Sequence, residues 1–135
     1  MKITRFNRKQ DLIVVRARVW SPRSHGRLRL AIDTGSSDTV VTPDFVEKLG
    51  YSARDGERVM TIRSAIGKEQ GFTLRVKRFL ALGFFVPNYL LHVFELATGD
   101  DIDGLIGLSF LKQFNCEFRF GEGRIRVERA AAESC

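Results

Sequence analysis

The stretch that most constrains this chain is Leu30-Ala31-Ile32-Asp33-Thr34-Gly35-Ser36-Ser37-Asp38-Thr39-Val40-Val41. An apolar, strand-forming run ends in a carboxylate, a hydroxyl and a glycine, and a second β-branched run follows at once. A carboxylate set beside a buried strand is unstable unless hydrogen bonds or a neighbouring charge compensate it. Asp33 is therefore either a loop residue turned to water or an acid with a chemical task. Its followers favour the task. Gly35 permits close backbone approach, and Thr34 and Ser36 carry hydroxyls that can donate to a carboxylate or a carbonyl.

The remainder reads as mostly β, with two short helices. Leu12 to Trp20 begins as an apolar run and ends in alternation, a strand; Ser21 to Gly26 is a turn; Arg27 to Ile32 returns as the strand that delivers Asp33. Asp38 to Val41 makes a short third strand. Thr42-Pro43-Asp44 reads as a helix start with Thr42 as N-cap, and Gly50 closes that helix. Val59–Arg63 and Phe72–Val76 read as paired strands, joined by a loop from Ser64 to Gly71. Phe79 to Leu82, Phe84 to Pro87 and Tyr89 to Leu96 are further apolar segments, with Gly83 marking a bend. Thr98 to Asp103 is an acidic loop that lacks the spacing of a calcium loop. Leu108 to Phe114 reads as an amphipathic helix, and Asn115–Phe120 and Arg124–Glu128 close the chain as strands. Residues 1–10 read as a loose arm or a late-ordered terminal strand.

Composition bounds the function. Hydrophobic and charged residues make up 44% and 28% of 135 residues, as in a soluble globular protein large enough to bury a core. No apolar run reaches the roughly 20 residues of a membrane helix, and the first residues lack a secretory segment, so a cytoplasmic location and no membrane partner are expected. Cys116 and Cys135 offer neither a disulfide framework nor a metal-ligand spacing, and with only His25 and His92 besides, no metal and no cofactor are expected. Cys116, between Phe114 and Phe118, reads as a small buried hydrophobe, and His92 as a half-buried strand residue. The formal net charge is +6. The arginines are spread along the chain and alternate with apolar residues, as the solvated face of a strand does, so no nucleic acid partner is expected.

A second signal lies downstream. Asp103-Gly104-Leu105-Ile106-Gly107-Leu108-Ser109-Phe110-Leu111 places a hydrophobic-hydrophobic-Gly segment at the opening of a helix. Together with hydrophobic-hydrophobic-Asp-Thr-Gly-Ser on an apolar strand, it resembles the aspartic peptidases, and the short chain resembles their retropepsin-like branch. The resemblance covers roughly residues 12 to 128. It implies one retropepsin-like domain over 1–135, with 1–10 and 129–135 as flexible tails. The implied fold is a closed β-barrel lobe with a flap hairpin and one or two short helices, forming a homodimer.

The resemblance also implies roles. Asp33, Thr34 and Gly35 would be the catalytic triplet, Thr34 bonding to the partner's loop and Gly35 offering its backbone to substrate. Ser36 would support the carboxylate from its own chain. Ser36, Ser37, Val40 and Leu105, with the flap tip Ala65, Ile66 and Gly67, would bind an extended polypeptide as an added strand. Ile106 and Gly107 would support the site. Leu108 and Ser37 stand where many viral members carry an arginine paired with an acid, so dimer stability must come from elsewhere. Metal-free peptide hydrolysis needs a base for water and an acid for the carbonyl oxygen, which two close aspartates sharing one proton supply. With one Asp-Thr-Gly per chain, the second Asp33 would come from another copy on a two-fold axis. The competing reading is the same fold as an idle dimerisation or peptide-binding module.

Overall fold

The computed structural model describes residues 1–64, 67–96 and 101–131, and for 62–64 and 67–69 the backbone. Among the described residues, ten strands and two short α-helices follow in the order β1 (Lys2–Arg5), β2 (Val14–Trp20), β3 (His25–Ile32), β4 (Val40–Val41), α1 (Pro43–Lys48), β5 (Arg58–Ser64), β6 (Gly67–Ala81), β7 (Phe84–Val93), β8 (Gly104–Ile106), α2 (Leu108–Leu111), β9 (Phe114–Arg119) and β10 (Arg124–Arg129). Strands β2-β3-β8-β4-β7-β6 pair in that order, and β6 pairs again with β2, so six strands close into a barrel. β5 extends from β6 as a hairpin arm, in register from Arg58 opposite Thr73 to Ser64 opposite Gly67. A separate sheet has the order β1-β10-β9.

Alternation builds the barrel wall. On β2 and β3, Val15, Ala17, Val19, Leu28 and Leu30 point inward and are buried, while Arg16, Arg27 and Arg29 point outward. Inside, the Phe79 ring stacks on Tyr89 at 4.8 Å and meets the edge of Phe110 at 5.3 Å. Ile125 and Val127 of β10 join the same core, which docks the second sheet on the barrel.

Several expectations are corrected. β6 is one continuous strand of 15 residues rather than two segments. No glycine or proline interrupts 72–81, and the strand serves the hairpin arm with its first half and the barrel closure at β2 with its last residues. Phe84 to Pro87 and Tyr89 to Val93 likewise belong to one strand, β7. Leu82 and Gly83, with φ of 52° and 84°, form the two-residue turn between β6 and β7; this left-handed geometry matches strand twist. The joining loop expected from Ser64 to Gly71 is mostly strand, since β6 starts at Gly67. Gly104–Ile106 is a strand and α2 stops at Leu111, because Gly107 N-caps it and the chain re-enters a sheet at Phe114. Thr42 occupies the N-cap of α1 but makes no side-chain cap; its N–H donates instead to the Asp103 carbonyl at 3.0 Å. Of the two readings for residues 1–10, the terminal strand is the one found, Lys2–Arg5 pairing with β10.

Candidate active site

β3 and β8 run parallel, with Ile32 opposite Ile106. This pairing delivers Asp33 and Gly107 side by side where both strands end. The Asp33 N–H donates to the Ile106 carbonyl at 3.0 Å, and the Ser36 N–H returns to the Asp33 carbonyl at 3.2 Å, closing a tight loop. Within it the Gly35 N–H donates to Asp33 Oδ1 at 2.9 Å. The carboxylate is half-buried, with Thr34 and Gly35 exposed beside it.

The loop is clamped from below by the start of α2. The N–H groups of Leu108 and Ser109 donate to the carbonyls of Ser36 and Ser37 at 2.9 and 2.8 Å. These amides would otherwise be unsatisfied at the helix start, so one set of bonds caps the helix and fixes the loop. Gly107 is required by space. A Cβ there would lie 2.7 Å from the Ser36 carbonyl oxygen and overlap the Asp38 carbonyl outright. Gly104 meets the same limit against the Val40 carbonyl.

One expected role is corrected. Ser36 Oγ donates to the Asp38 carbonyl at 2.8 Å and so braces the loop backbone, while the carboxylate is held by the Gly35 amide. Val40 and Leu105 face each other across β4 and β8, both half-buried next to the loop, with Ile106 fully buried. Gly67 lies at the far end of the hairpin arm, opposite Ser64, and Ala65 and Ile66 lie outside the described residues.

A hydroxyl relay beneath the loop, buried at Thr39 and Tyr89 and open to solvent at Ser109, had no signal in the sequence. Thr39 Oγ1 hydrogen-bonds Tyr89 Oη at 2.9 Å, and Tyr89 Oη hydrogen-bonds Ser109 Oγ at 2.7 Å. Thr39 Oγ1 also accepts the Gly107 N–H at 3.2 Å. Three chain segments are thereby tied together at the junction of loop, helix and β7. Burial pushes the Tyr89 phenol above its ordinary value, against the lowering effect of its bonds to Ser109 and Thr39. A lone Tyr in an apolar strand gave no signal of this.

Among the described residues, Asp38 and Asp103 close to the loop are engaged. Asp38 Oδ1 lies 3.4 Å from His92 Nε2. Asp103 Oδ2 accepts the Arg29 N–H at 2.8 Å, and its own N–H donates to the Arg29 carbonyl at 2.8 Å, sealing β3 to the chain entering β8. Asp33 is left as the carboxylate at the loop tip whose Oδ1 meets a backbone amide of its own turn.

A family model described as aspartyl protease matches residues 21–110, more than half of the chain, and spans both the Asp33 loop and the Gly107 element. The chain belongs to the aspartyl protease family. Among solved structures, this family member is similar to a retropepsin-like aspartic protease from Rickettsia conorii, at 20% identity and a TM-score of 0.68, over 91% of this chain and 86% of that one. It is also similar to the retroviral protease-like domain of Ddi1 from Leishmania major, at 14% identity and a TM-score of 0.58, over 89% and 90% of the two chains. These likenesses make the barrel a retropepsin-like lobe. No curated protein matched. Among the described residues, no helix is long and apolar enough to cross a membrane.

Proposed function

We propose that the chain is an aspartic endopeptidase that works as a homodimer, the whole of 1–135 forming one lobe and each lobe contributing Asp33. The observation that carries this reading is the state of the carboxylates. Asp33 is set at the tip of a doubly clamped loop, and the neighbouring Asp38 and Asp103 already have partners in their own chain. A second acid for the dyad comes most simply from Asp33 of another copy.

In that arrangement two carboxylates a few ångströms apart share one proton, since both cannot ionise. The ionised one takes a proton from water as it attacks the scissile carbonyl, and the protonated one donates to the carbonyl oxygen. The same pair then returns a proton to the leaving nitrogen. The pair titrates as a unit. Thr34 reaches the partner's loop, Gly35 presents backbone to substrate, and Ser37, Val40 and Leu105 contact its side chains. The hairpin arm β5–β6 covers an extended polypeptide, with Ala65, Ile66 and Gly67 as the residues proposed to contact it.

The test is Asp33→Asn, with circular dichroism and sedimentation alongside a peptide-library digest from acidic to neutral pH. The expected result is loss of cleavage with fold and assembly unchanged. Wild-type protein inert towards every peptide would favour the idle binding module instead.

A further inference from the structure

Outside the loop, one group of arginines gathers on a face of the barrel. Arg16 stands directly opposite Arg29, and Arg18 opposite Arg27. Like charges facing each other across a strand pair repel. The same rows continue across the barrel: Arg27, Arg18, Leu80 and Phe85 lie side by side, as do His25, Trp20, Arg78 and Pro87. The chain that builds this face has no Asp or Glu between residues 12 and 32 or between 71 and 94.

The face is also concave. The segment from Thr4 to Gln10 runs beside it, tied down where the Phe6 N–H donates to the Gly123 carbonyl and Arg8 bonds the Gly121 carbonyl. Between this wall and β2–β3 lies a groove of about 950 Å³ into which Arg5, Arg16, Arg18, Arg27 and Arg29 face, with no carboxylate among its lining residues. None of these five guanidinium groups has an ion pair among the described residues. Next to the lining residues Leu80, which pairs with Phe85, and Arg18, which lies 5.7 Å from the Trp20 ring, the rings of Trp20 and Phe85 lie 5.5 Å apart, and Phe85 is 44% exposed. Arg78 sits over both rings, at 4.9 and 4.3 Å.

We propose that this groove binds single-stranded nucleic acid, its arginines taking the phosphates of one strand and the Trp20–Phe85 platform stacking a base. Repeated arginines with no ion pair among the described residues match a ligand with a charge at every repeat, and arginine's planar fork suits phosphate oxygens. An exposed Phe85 ring backed by a half-buried Trp20 beside a basic groove offers the stacking element that single strands use. A membrane surface is nearly flat and would reach the rim but not the floor. An acidic polypeptide would satisfy the arginines but has no use for the rings. The site is separate from Asp33, and binding is independent of peptidase activity.

The test is fluorescence anisotropy with a labelled oligothymidylate of about 16 nucleotides, using full-length protein and Asp33→Asn side by side. Both are expected to bind alike. With about four phosphates neutralised, raising salt from 50 to 200 mM should weaken binding about 50-fold. Arg16→Gln with Arg29→Gln should weaken binding and flatten that salt dependence. Phe85→Ala should lower affinity about tenfold and leave the salt slope unchanged. Circular dichroism of each variant checks that the fold is intact. Equal affinity for polyglutamate or for phosphatidylserine vesicles would overturn the proposal, as would oligonucleotide binding that survives both the arginine and the Phe85 changes.

Discussion

At Gly107 a methyl group has nowhere to go, since the carbonyls of Ser36 and Asp38 already pack against the Cα. Both contacts are backbone and belong to the Asp33 loop, so relief must move the loop itself. Gly107→Ala is expected to destabilise the fold by about 1–3 kcal/mol, read as a fall in the denaturant midpoint, and to displace Asp33. Tyr89 is the other residue on which the site's support converges. Tyr89→Phe removes the centre of the Thr39–Tyr89–Ser109 relay and should cost about 1 kcal/mol at neutral pH. Burial raises the folded phenol above the ordinary 10.0, so its stabilisation is intact below that pH. As pH rises past it, the unfolded chain ionises first and the advantage is lost. The stability gap between wild type and Tyr89→Phe should therefore narrow in alkaline denaturation curves. Both residues illustrate the limits of reading a sequence. Gly107 was legible because Leu-Ile-Gly before a helix carries a pattern, whereas Thr39 and Tyr89 are 50 residues apart and meet only through folding.

Among the elements, β2 and β3 carry the clearest tension. Arg18 and Arg27 face each other with no acid in either strand. Arg27→Glu turns that repulsion into attraction and is expected to stabilise the free protein by about 0.5–1 kcal/mol, measured as a rise in Tm that shrinks with added salt. A native sequence that keeps such a pair gives up stability for it, which is consistent with a ligand supplying the missing charge. The β5–β6 hairpin shows where local reading fell short. Two glycines and small side chains suggested a long loop, but Gly71 is buried with the Phe94 ring against its Cα, and strand pairing continues to Gly67. Glycine there marks a close approach of ring to backbone, not a turn.

For the whole molecule, the dimer reading has a stoichiometric signature. If each lobe supplies one Asp33, wild type mixed with an excess of Asp33→Asn forms inactive mixed pairs. Activity should then fall as the square of the wild-type fraction, checked by cleavage rates after subunits have exchanged. A fall only in proportion to dilution would mean that one lobe suffices. The terminal sheet bears on this question: β1 and β9 are its edges, and an edge strand offers unpaired backbone groups to another chain.

Local residue patterns were enough to specify the Asp33 loop, the Gly107 element beneath it and the mostly-β class. These rest on local patterns: alternation, a carboxylate ending an apolar strand, a glycine before a helix. Tertiary structure decided the rest. Barrel closure joined segments read as separate strands into β6 and β7 and brought Tyr89 to Thr39 and Ser109. Strand pairing set arginines that alternate innocuously along the chain directly opposite one another. Periodicity along a chain reports which face a side chain takes, but register between strands decides which side chains share it.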